Sequence, residues 1–195
     1  MKSLQIRKFA IAAAAASAFV LSSGAMANTL TFQGVTFETL WSAADADTLT
    51  LSISGLDVAT GNWAGITGLA AFEVKDVGQV ATSATGGGVT WVYSNDSLSS
   101  NGCATGNTPG GCFTGSGPAT WGVGGTLDLS IDFAGAIDAS APHLKVNFVG
   151  GSCSTGQGNC NLLSQTIPVP EPETYALMLA GLGVVGFMAR RRRQS

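Results

Sequence analysis

The sequence predicts an all-β protein: a single antiparallel β-sandwich of jelly-roll or immunoglobulin-like type, flanked by an N-terminal signal-peptide helix and a C-terminal transmembrane helix. Three observations carry this expectation. Apolar and polar residues alternate with period two through several short segments, which sets one face of each on a core and the other in water. Clusters of Gly, Asn, Asp and Ser separate these segments, and nothing between them repeats with helical spacing. Charged residues make up only 11% of the chain, where about 25% is usual, and its 27 glycines are about twice the usual share. A surface with so few charges is built from hydroxyls, side-chain amides and backbone, and the same residues form turns. No fixed-period repeat occurs, so a solenoid is disfavoured.

The elements follow in order. Lys2, Arg7 and Lys8 precede an apolar run over residues 9–21, and Ala25, Met26 and Ala27 give the small-x-small pattern read by signal peptidase. Residues 1–27 are therefore expected to be a signal peptide, with cleavage after Ala27 leaving Asn28 first. Residues 29–33 and 35–38 alternate on either side of Gly34, which marks a bulge or a turn. Residues 43–47 read as a connection. A cleaner strand spans 48–56, with Leu49, Leu51 and Ile53 inward and Thr48, Thr50, Ser52 and Ser54 outward. Strands are also expected over 69–75, over 89–93, where β-branched and aromatic residues dominate, over 126–133 and over 144–149, the last clear one.

Residues 28–167 thus form one exported domain, large enough for a substantial core. The overall charge of −3 misleads, because seven of the nine basic residues lie in the two terminal segments. Between them only Lys75 and Lys145 face ten acids, and there is no arginine. Phosphate binding needs clustered Lys and Arg, so no nucleic-acid partner is expected.

Residues 168–195 are organised differently. Pro168, Pro170 and Pro172 favour an extended backbone that stands clear of the domain before it. Residues 175–189 carry no charge, giving about 22 Å of helix at ~1.5 Å per residue against a hydrocarbon core of about 30 Å. Arg190, Arg191, Arg192 and Arg193 then form a basic stop favouring the cytoplasmic side of the inner membrane, with Glu171 and Glu173 opposite. The order Val169, Pro170, Glu171, Pro172, then a helix rich in Leu, Ala and Gly, then an arginine cluster, closely resembles the PEP-CTERM sorting signal of Gram-negative bacteria. Glu173 stands where many members carry a small polar residue. The resemblance covers residues 168–193 and nothing upstream. It implies recognition by an exosortase, an integral membrane enzyme with a proposed cysteine nucleophile, and delivery to the cell surface or an exopolysaccharide matrix such as a biofilm. A plain C-terminal anchor that nothing cleaves is the rival reading.

Four cysteines permit three pairings. Cys103 and Cys112 enclose one glycine-rich loop, Cys153 and Cys160 another, and export to an oxidising compartment favours the two local disulfides. A zinc site is the alternative, but zinc ligand pairs sit two to four residues apart, closer than these.

No catalytic residue, metal or cofactor is called for. The one histidine, His143, shares an alternation with Lys145 and Asn147 that points all three out of their strand. Neither a Gly-x-Ser-x-Gly elbow nor a His-Glu-x-x-His or phosphate-loop pattern occurs. Asp128 and Asp132 share a strand face about 13 Å apart at ~3.3 Å per residue, too far for a glycosidase pair. Asp45 and Asp47 offer two carboxylates to calcium but lack the rest of an EF-hand. Trp91 and Tyr93 share one side of a strand and are candidate sugar-stacking residues, while Trp41, Trp63 and Trp121 lie near loops. The expectation is a non-enzymatic exported surface or matrix protein. A carbohydrate-binding module of the envelope is the alternative, and a secreted enzyme relying on His143 is a third.

Overall fold

The structure, a computed structural model, describes residues 26–42, 44–100, 102–105, 111–152, 161–168, 178–183 and 185. The described strands are β1 (Met26–Phe32), β2 (Val35–Ser42), β3 (Asp45–Ser54), β4 (Ile66–Lys75), β5 (Ala81–Gly86), β6 (Trp91–Ser94), β7 (Ser97–Ser99), β8 (Gly102–Thr105), β9 (Cys112–Ala119), β10 (Leu127–Phe133), β11 (His143–Gly150) and β12 (Leu162–Thr166). They form two five-stranded antiparallel sheets, sheet A in the order β1-β2-β3-β10-β5 and sheet B in the order β12-β11-β4-β9-β6. The short β7–β8 ribbon is a third, two-stranded sheet.

Both sheets turn their apolar rows onto one core. Val35, Phe37, Leu49, Leu51, Ile53, Leu129 and Ile131 of sheet A pack with Leu69, Phe72, Val74, Leu144, Val146 and Phe148 of sheet B. Trp63, from a 3-10 turn at Gly61–Trp63, plugs one end of this core and meets Phe32 and Phe148 edge-on, each at 5.0 Å between ring centres. From β3 to β6 every connection crosses between the sheets, and so do those from β9 to β11. Within sheets A and B, consecutive strands stay together only at the two ends of the chain, β1, β2 and β3 in sheet A and β11 and β12 in sheet B.

Several boundaries differ from the sequence reading. β3 begins at Asp45, so Asp45, Ala46 and Asp47 of the expected 43–47 connection lie in a strand. β5, β9 and β12 lie in stretches of small, glycine-rich or polar residues that carry little strand signal alone. At Gln33 and Gly34, φ is 49° and 83°, so this site is a two-residue hairpin turn rather than a bulge. Gly86 lets β5 close on β10, because a Cβ there would stand 2.2 Å from the Asp128 carbonyl oxygen.

No helix among the described residues is long and apolar enough to cross a membrane. Residues 178–183 and 185 are helical, and Met178, Leu179, Leu182 and Val185 are each more than half exposed. The expected span 175–189 and the signal peptide 1–27 otherwise lie outside the described residues. Ala27 is described: it pairs with Leu40 at the start of β1, so cleavage after it would leave Asn28–Phe32 in the ladder.

Candidate functional site: a latched ribbon and a sorting tail

The least ordinary chemistry in the domain sits on the outer face of sheet B. In β4, Phe72 and Val74 point into the main core, which turns Ala71, Glu73 and Lys75 outward. Glu73 is nevertheless fully buried, because the β7–β8 ribbon lies across it. One row of register partners runs Ser164, Lys145, Glu73, Cys112, Ser94 across β12, β11, β4, β9 and β6. Lys145 Nζ stands 3.0 Å from Glu73 Oε2 and is itself 13% exposed. The Leu98 amide donates to the same oxygen at 2.8 Å and the Ser97 hydroxyl at 3.1 Å. Lys145 also donates to Ser97 Oγ at 2.6 Å and to the Leu98 carbonyl at 3.4 Å, and Asn147 donates to the Ser100 carbonyl. A carboxylate out of water is costly unless it is paired and hydrogen-bonded, and here the ribbon supplies the donors.

A second lock holds the ribbon down. Cys103 of β8 is bonded to Cys112 of β9, with Cα atoms 5.7 Å apart. Leu98 and Cys112 pack with Ala71, Cys103 and Leu162 as a small apolar cluster separate from the main core. The expected Cys103–Cys112 pairing is therefore present, and the Cys153–Cys160 pairing lies outside the described residues.

The other sequence candidates do not converge. Trp91 is only 8% exposed; it meets Phe72 edge-on at 4.9 Å and donates from Nε1 to the Gly86 carbonyl. Tyr93, 37% exposed, leans edge-on against Phe113. The expected sugar-stacking pair is thus corrected: one ring belongs to the core, because β6 needs an anchor over β9, and no flat pair is presented. Of the other tryptophans, Trp63 is buried, while Trp41 and Trp121 are half-buried against the core. Asp128 and Asp132 stay on the solvated face of sheet A, taking hydrogen bonds from Ser52 and from Thr48 and Ser83. Asp45 and Asp47 are exposed, and among the described residues no three His, Cys, Asp or Glu side chains gather to hold a metal.

His143 is half-buried and bridges β11 to β12. Its Nε2 lies 3.0 Å from Ser164 Oγ and its Nδ1 3.1 Å from Thr166 Oγ1. Burial, with Lys75 adding to it, holds the imidazole below its ordinary pKa of 6.5. A serine against a histidine nitrogen is half of a nucleophilic pair, but the orienting group here is a hydroxyl instead of a carboxylate. Both contacts are what a cross-strand row on an open sheet provides.

Glu73 is the residue that strand alternation alone missed. It directly follows the apolar run over residues 69–72, which signals burial on both faces, and only two lysines exist in the domain to pair with it.

Ile167 is fully buried and its amide donates to the Pro142 carbonyl at 2.9 Å, while Pro168 is exposed. Residues 168–193 match the family model of the PEP-CTERM protein-sorting motif. The chain carries a PEP-CTERM sorting motif. This motif is the recognition signal for exosortase processing, and it marks the protein for export and exosortase-dependent placement at the cell surface. Val169, Pro170, Glu171, Pro172 and Arg190 to Arg193 fall within the matched stretch and outside the described residues. No curated protein matches the sequence. A solved structure concerning pH-induced modulation of Streptococcus parasanguinis adhesion by Fap1 fimbriae resembles it at 9% identity and a TM-score of 0.33, over 77% of this chain and 84% of that one. A likeness at that level carries no conclusion.

Proposed function

We propose that this chain is a non-enzymatic component of the bacterial envelope surface or its exopolysaccharide matrix. On this reading signal peptidase releases residues 1–27, the apolar stretch 175–189 and Arg190 to Arg193 hold an intermediate in the inner membrane, and an exosortase then processes the tail. The observation that carries the reading is the junction: a domain closed by the buried Ile167 gives way at the next residue to the sorting motif. The apolar side chains of 178–183 and 185 support it as well, since they are exposed and unused by the core. A non-catalytic role accords with a domain whose histidine is spent on two cross-strand hydroxyls.

Intact-mass measurement of the protein from surface and culture fractions, with and without the sorting enzyme, tests this. The expected result is a mature species lacking the C-terminal tail only where the enzyme is present. A tail ending at Ser195 in every fraction would leave the plain anchor instead. Glycan-array binding that disappears on mutating Tyr93 would revive the carbohydrate-binding alternative, which the buried Trp91 now weakens.

A further inference from the structure

Both ends of the domain leave from one pole of the sandwich. Near the N-terminal end, Asn28 Nδ2 donates to the Ala139 carbonyl at 2.8 Å; at the C-terminal end, the Ile167 amide donates to the Pro142 carbonyl. The same short segment thus holds the first and last strands. Its neighbours at this pole are the β2–β3 turn and the β4–β5 connection, tied in by Ile137 N to Ala46 O and Asp138 N to Val77 O. Asp45, Asp47, Asp76 and Asp138 are all exposed around this pole, and Lys75 is the nearby cation.

The opposite pole is built otherwise. Residues 55–65 run across it and stitch three other connections together: Thr60 N to Gln33 O, Leu56 N to Gly125 O, Gly151 N to Gly65 O and Ser152 N to Asn62 O. Its described connections contain a single charged side chain, Asp57, and display the exposed Val58 and Val123.

We propose that the acidic pole is the face turned toward the phospholipid headgroups in the anchored intermediate, and that the uncharged, stitched pole is the surface presented outward. This rests on the reading that 175–189 is the anchor. Residues 168–174, between the domain and that anchor, are seven residues with a contour of about 25 Å at most. A ten-residue strand such as β4 is itself about 33 Å long, so a connector this short does not bring the far pole to the lipid. Charge sets the spacing. Anionic headgroups repel the four aspartates over about 8 Å at physiological salt, so the acidic pole stands off the lipid and leaves the connector open to a processing enzyme.

The test uses the full chain in phosphatidylethanolamine–phosphatidylglycerol vesicles containing nitroxide-headgroup lipid. A fluorophore is placed at Asp47→Cys, at Asp45→Cys as a second site on the same pole, or at Val123→Cys on the other. Severalfold stronger quenching at positions 45 and 47 than at 123 is expected, rising further when 1 M salt screens the repulsion. Equal quenching, or stronger quenching at 123, in chains that float with the vesicles would overturn the orientation while leaving the anchor intact. Chains that do not float would remove the anchor, and the orientation with it.

Discussion

The outer rows of β3 and β10 on sheet A hold Thr48, Thr50, Ser52, Asp128 and Asp132 in solvent, whereas the outer rows of β4 and β11 on sheet B hold Glu73 and Lys145 under a ribbon. Both faces come from strands with polar residues at alternate positions. On the open face, short side chains satisfy one another loosely and water does the rest. On the covered face a single buried carboxylate organises an amide, a hydroxyl and an ammonium, and a disulfide holds the cover in place. The same polar pattern is therefore nearly neutral where water reaches it and decisive where it does not.

The largest expected effect that tests this contrast is at Glu73. Glu73→Ala leaves Lys145 and the Leu98 amide without their partner and is expected to cost about 3–5 kcal/mol in urea unfolding. Adding Lys145→Ala should recover part of that loss. Strict additivity of the two would mean that Glu73 and Lys145 are not coupled under the ribbon, which would break the contrast.

Opening the disulfide comes next. Cys103→Ala with Cys112→Ala is expected to cost ~2–3 kcal/mol for a bridge of this short separation. Hydrogen exchange should then accelerate at residues 97–105 and spare sheet A; uniform acceleration would show that the ribbon is not an independent latch.

On the open face, Asp132→Ala removes the acceptor for Thr48 and Ser83, yet should change stability by no more than about 0.5 kcal/mol. A loss comparable to that at Glu73 would erase the contrast between the faces.

The smallest effect concerns pH. Because His143 is held below 6.5 in the fold, the unfolded chain binds its proton first as pH drops. Its contribution is fully present above 6.5 and is lost as pH falls through the folded value. His143→Gln should flatten a shallow slope in denaturation midpoint below 6.5, and an unchanged slope would assign it to the carboxylates.

The strands that declared themselves did so through side chains that need burial on one face only. Leu49, Leu51 and Ile53, or Leu127, Leu129, Ile131 and Phe133, fix their own register wherever they lie. By contrast β9, with Gly115, Gly117 and Pro118, is a strand because β4 and β6 pair with it on either side. Trp91 and Tyr93 show the same limit at a site: alternation put them on one side of β6, but exposure depended on how that edge strand settles over Phe72 and Phe113.

By itself the sequence determined the all-β class and the sorting motif and favoured the short-range Cys103–Cys112 pairing, because each is written in residues close together along the chain. The tertiary structure decided that Glu73 is buried, that Trp91 is core and that both ends leave from one pole. Those outcomes depend on which distant strands become neighbours, and a carboxylate's environment is set by what folds over it, not by the residues beside it.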